Sequence, residues 1–191
     1  MKLPHLTVVL LAATGLAVAG CSGGEPEDPA TAEVGEASSE AIDDRPLPGI
    51  LDEAEGMQSI AEALKATGIA TAFDGNGSYT LLAPTDAAFE AGGDKVKALV
   101  TAEDHAPLAA LVKSHMLPGF VSVKDIEAAI AASEDGKATM TTVNGDDLVF
   151  SKDSDAVLVS GTDGSSAKIA GKAIGGGASN AIPLDGLLKQ F

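Results

Sequence analysis

The sequence predicts an α+β domain, and three observations carry that reading. Apolar residues recur at helical spacing through the first half of the chain. Beyond Gly136 they fall instead into short runs separated by Gly, Asp and Ser turns, the pattern of antiparallel hairpin strands. At 191 residues the chain is long enough for one core with extensions and short for two. Helices gathered in one half and strands in the other imply an α+β arrangement.

Taken in order, the chain opens on Met1-Lys2 and, after Pro4-His5, runs apolar from Leu6 to Val18. A charged start followed by a run of the ~7–15 residues of a secretory signal, short of the ~20 that a spanning helix needs, reads as an export segment. Val18-Ala19-Gly20-Cys21 follows at once and resembles the lipobox of bacterial lipoproteins, in which small residues precede a thiol that receives a diacylglycerol. Residues 1–20 are therefore expected to be a lipoprotein-type signal peptide and Cys21 the lipidated residue. Two or three acyl chains hold a protein to a bilayer where one does not, at about 0.8 kcal/mol per buried methylene. By resemblance to the Gram-negative sorting rule, Ser22 favours the outer membrane, with surface and periplasmic orientations both open. Residues 21–46 hold Gly, Glu, Asp, Pro, Ala and Ser with little to bury, a disordered, self-repelling tether.

The folded domain is expected over residues 47–191. Ile50, Ala54, Met57, Ala61 and Leu64 share one helical face, with Gly68 as a stop, and predict a first helix. A Gly75-Asn76-Gly77 turn leads into the apolar strand Ser78–Ala83. Pro84 then ends that strand, Thr85 or Asp86 caps a helix, and Phe89 packs. Helical spacing returns at Val96, Leu99 and Val100, and again from Leu108 through Leu111, Val112 and His115 to Pro118-Gly119. Ser122 and Asp125 have the spacing of a capping box before Ile126, Ala129 and Ile130. Strands follow at Thr139–Val143, Leu148–Phe150, Ala156–Val159 and Ala167–Ala170.

Two of these segments also carry a family resemblance. Tyr79-Thr80-Leu81-Leu82-Ala83-Pro84-Thr85-Asp86-Ala87-Ala88-Phe89 resembles the first signature of fasciclin (FAS1) domains. Leu111-Val112-Lys113-Ser114-His115-Met116-Leu117-Pro118-Gly119 is similar to the family's helix ending in His, two apolar residues and Pro-Gly. Met140–Gly145 and the closing Ser179-Asn180 and Ile182–Leu188 are weaker matches in the same order. The resemblance implies a single FAS1 domain, helices packed on a β sandwich or wedge, and a role in adhesion. Pro84, Thr85, Asp86, Phe89, His115, Pro118 and Gly119 are the motif residues, and each reads as structural. The chain departs from the family at Ser114, where a Tyr usually pairs with the motif His, so the integrin binding linked to that pair in animal members is not carried over. It departs again at Ala181 and Pro183, where an atypical last strand is expected.

Composition narrows the function. A formal net charge of -16 repels phosphate backbones, which excludes nucleic acid as a partner. A single cysteine excludes an internal disulfide and a Cys-rich zinc site. No Gly-x-Ser-x-Gly elbow, no histidine pair at metal spacing and no Ser, His and acid set occurs, so no enzyme, cofactor or metal is expected. Gly175-Gly176-Gly177 lacks the Lys-Ser/Thr of a phosphate loop and reads as a flexible connection. Asp153-Ser154-Asp155 starts like a calcium loop and fails at Val157. Among the remaining polar candidates, His115 is expected buried and hydrogen-bonded, His105 exposed, and Tyr79 in the core. The expected function is a membrane-anchored surface or periplasmic module, attached through Cys21, that binds a protein or matrix polymer. The alternative is capture of a small apolar ligand or pigment. Monomer and weak self-association are both open.

Overall fold

A computed structural model describes residues 43–190. The expected signal segment, Cys21 and the tether as far as Ile42 lie outside the described residues, as does Phe191.

The chain enters on α1 (Leu47–Glu53), with Pro48 in its first turn, and α2 (Gln58–Ala66). The single opening helix expected from the apolar spacing is thus two helices. Ala54 is extended and Gly56 takes φ +78°, a conformation that costs glycine little and interrupts the helix. After the break the expected face is buried, at Met57, Ala61 and Leu64; before it Ile50 and Ala54 are half-buried and Leu51 takes the inside position. Gly68, at φ +71°, ends α2 and starts an unanticipated 3-10 turn over Ile69–Phe73.

Strand β1 (Tyr79–Pro84), α3 (Asp86–Ala91), α4 (Gly93–Thr101) and α5 (Ala106–Ser114) follow. The helix expected to run as far as Pro118-Gly119 stops at Ser114. Met116–Pro118 is instead a short strand, β2, paired antiparallel with Tyr79–Leu81. α6 (Val123–Ala132) starts on the capping box: Asp125 N donates to Ser122 Oγ, and Ser122 N to Asp125 Oδ2.

β3 (Lys137–Thr141), β4 (Asp147–Asp153), β5 (Ala156–Gly161) and β6 (Ser166–Lys168) make an antiparallel sheet in sequence order. β7 (Ile174–Gly176) and β8 (Ser179–Leu184) join the other sheet, whose order is β2-β1-β8-β7. Here the expectation of antiparallel strands is corrected, because β1 and β8 run parallel, Thr80 opposite Asn180 through Pro84 opposite Leu184. Pro183 is tolerated in this central strand because β7 pairs only as far as Ala181. Beyond Ala181 the backbone neighbour is Ala170, whose N–H donates to Pro183 O, a bond that asks no N–H of the proline.

The three glycines are also not a flexible connection. Gly175 and Gly176 belong to β7, and a Cβ on Gly176 would stand 2.7 Å from Leu47 Cα. Gly176 is where α1 crosses the sheet edge with no room for a side chain. The last residues assigned to the tether lie alongside: Gly177 N donates to Asp43 O, and Arg45 bonds Asp43 and Glu53.

The β2-β1-β8-β7 sheet is buried on both faces, which is why β1 reads as a continuous apolar run. Leu81, Ala83, Met116 and Ala181 face the helices α1 to α5. Leu82, Leu117, Ile182 and Leu184 face a second core with Ile126 and Ile130 of α6, Phe150 of β4 and Val159 of β5. Alternation along each strand sorts the side chains between the two cores. The result is the α+β domain that the residue patterning predicts, with one mixed and one antiparallel sheet.

Candidate interaction site

The first motif segment sits at the C-terminal end of β1. Pro84 is the strand's last residue and Thr85 N donates to Leu184 O, continuing the ladder toward β8. The Thr85 side chain then accepts from Ala88 N at 3.3 Å and caps α3. Asp86 does something local sequence does not announce. Its Oδ1 accepts from Ser59 N at 2.7 Å, supplying the N-terminal cap that α2, whose own cap residue is Met57, lacks. Asp86 N meanwhile donates to Gly56 O at 2.8 Å. Phe89 is buried in the helical core.

His115 follows the last residue of α5 and is 1% exposed. Its Nδ1 lies 2.8 Å from Leu111 O and its Nε2 is 2.9 Å from Leu188 N. Leu188 N can only donate, so Nε2 is the acceptor and Nδ1 carries the proton given to Leu111. Burial holds this imidazole neutral, pushing its pKa from 6.5 down to about 4, although Leu111 O and Asp163 act the other way. Ser114, in the place of the family's Tyr, is buried and donates to Leu111 O.

The second motif segment sits at the other end of β1. Pro118 pairs with Tyr79, and Gly119, at φ +89°, donates its N–H to Ser78 O. Between the segments lies a polar group that sequence reading missed. Thr80 Oγ1 donates within reach of Gly119 O and Asn180 Oδ1, both at 2.9 Å, and accepts from Val121 N at 2.7 Å. Asn180 Nδ2 donates to Val121 O at 2.9 Å. These bonds hold residues 119–121 to the sheet from both sides of Phe120, a residue 47% exposed. The motif residues therefore do not converge on one pocket; they brace opposite ends of one strand.

Two minor expectations change. His105 is half-buried rather than exposed, with Nδ1 enclosed and without a hydrogen-bond partner among the described residues. Tyr79 is half-buried, its ring edge-on to Phe73 at 5.7 Å.

An apolar groove of about 210 Å³ lies elsewhere among the described residues, between α2, α3 and α4. Phe89, Val96 and the half-buried Val100 give it an apolar floor, and the exposed Glu62, Glu90 and Lys97 stand around it. No periodicity within one segment reveals a groove made by three helices. Among the described residues no cluster of three or more His, Cys, Asp or Glu is placed to hold a metal ion, and no helix is long and apolar enough to cross a membrane.

Against known proteins, the Fasciclin domain family matches residues 55–181. A solved FAS1 domain pair from the insect cell adhesion molecule fasciclin I aligns at 17% identity with a TM-score of 0.48. The alignment covers 74% of this chain and 43% of that one, so the chain spans less than half of that structure's length. No curated protein matches.

Proposed function

The chain belongs to the fasciclin domain family, and from that premise we propose that it is a membrane-anchored protein of the cell surface or periplasm. Its fasciclin domain mediates adhesion, or binding to a protein or polymer. The observation that carries this reading is the inward use of the motif polar groups. Thr85, Asp86 and His115 each hydrogen-bond within the domain, so the motif is architecture and the exposed surface is left for contact. The lipobox-like Val18–Cys21 and the acidic stretch after it supply an anchor and reach. No enzymatic step is part of this proposal.

The experiment compares surface attachment and cell aggregation of the host with the gene intact, deleted, or carrying Cys21→Ala. Deletion and Cys21→Ala are both expected to lower attachment, the second while leaving the domain folded and released from the membrane. Attachment unchanged in both strains contradicts the proposal. Capture of a small apolar ligand or pigment is the second reading, and the groove floored by Phe89, Val96 and Val100 favours it. Its volume of about 210 Å³ is below the roughly 300–1,000 Å³ of small-molecule pockets. A visible absorption band in protein purified from the host would reverse that order.

A further inference from the structure

We propose that the groove between α2, α3 and α4 is the contact site for a basic, aliphatic segment of a protein partner. One aliphatic side chain sits on the Phe89, Val96 and Val100 floor, and neighbouring Lys or Arg side chains lie against Glu62 and Glu90. This rests on the interaction reading above and names the partner's chemistry.

Size selects a side chain. About 210 Å³ holds one Leu or Ile and little more, less than a pigment or cofactor requires. Charge selects the sign. Among the described residues neither Glu62 nor Glu90 is in an ion pair, which leaves both carboxylates open to a cation from outside. The two glutamates come from different helices, α2 and α3, and both line this groove, with Lys97 of α4 as the cation of its lining. The whole chain, at -16, adds a long-range field that steers cations toward it and repels acidic competitors. An apolar contact ringed by exposed charges of the opposite sign is the arrangement of an interface anchor and its polar rim. Phe89 ties the groove to the fold, since the same ring that forms its floor packs into the helical core behind α3.

The test uses the full chain carrying Cys21→Ala, exported and purified from its host. Fluorescence anisotropy follows a labelled Lys-Leu-Lys-Leu-Lys-Leu peptide and its Lys-Ser-Lys-Ser-Lys-Ser counterpart of equal charge. The leucine peptide is expected to bind at least about tenfold more tightly than the serine peptide. Glu62→Gln with Glu90→Gln is expected to weaken it about tenfold, and Val100→Thr to weaken it several-fold while leaving the serine peptide unchanged. Equal binding of both peptides, or equal losses for both in the variants, overturns the proposal in favour of diffuse attraction to an acidic protein. A lipid or pigment co-purifying in the groove overturns it in favour of that occupant. The same double variant placed in the host separates the two readings: attachment that needs the gene and Cys21 but not Glu62 and Glu90 leaves the adhesion function standing and removes this site.

Discussion

A histidine that accepts a hydrogen bond from a buried backbone N–H cannot take up a proton without losing that bond. His115 is in this position: Nε2 serves Leu188 and Nδ1 serves Leu111. Because its pKa in the fold is lowered from 6.5 to about 4, the unfolded chain binds the proton first as the medium is acidified. The stability this residue contributes is full above pH 6.5, falls through the window from 6.5 to 4, and is gone below it. The shift corresponds to about 3 kcal/mol. Urea melts of the full chain between pH 7 and pH 4 should show that loss, and His115→Gln should remove this part of the slope while starting less stable at pH 7 by roughly 1–3 kcal/mol. An unchanged slope in the variant would assign the acid sensitivity to other groups. Asp163 extends the sensitivity to lower pH. It is partly desolvated, yet Ser165 and the N–H of Gln190 hold its pKa below the usual 3.8, so its share persists until the pH falls beneath that value. Both groups hold the closing segment, at Leu188 and at Gln190, so acid should loosen that segment first.

At the scale of elements, legibility followed the range of the interaction. The caps at Thr85 and Ser122 were readable because a cap and its helix are neighbours in sequence. Strands β3 to β6 were readable because each joins the next through a short turn. The parallel pairing of β1 with β8 was not readable, since Thr80 meets Asn180 across 100 residues and no turn signals it. The same distance hid the Thr80 and Asn180 group, although both residues lie in segments that carried the family resemblance. Gly176 misled for a different reason. Glycine signals either freedom or lack of space, and composition alone does not say which; here Leu47 occupies the space a Cβ would need. Gly176→Ala should therefore destabilise by about 1–3 kcal/mol through overpacking, measured as a lowered Tm. Gly49→Ala, where a Cβ meets nothing within 4 Å, should leave Tm unchanged or raise it. If both substitutions behave alike, the close approach of α1 to β7 is not what requires the glycine.

For the whole molecule, the division of labour is between an interior that uses its polar groups to join the ends of one strand and an acidic exterior free to meet a partner. The polar motif residues found by sequence, Thr85, Asp86 and His115, are then expected to govern how much folded protein exists, not how well each folded molecule binds. Asp86 separates the two most cleanly, because its carboxylate caps α2 from α3 and Asp86→Ala should cost about 0.5–2 kcal/mol. The most direct measurement is attachment of host cells carrying Asp86→Ala, divided by the amount of folded chain on the membrane and compared with the unaltered strain. Equal attachment per folded molecule, with a lower Tm, is the result expected if the motif is architecture. A loss of attachment at unchanged Tm and unchanged folded amount would place the motif itself in the contact surface and contradict the account.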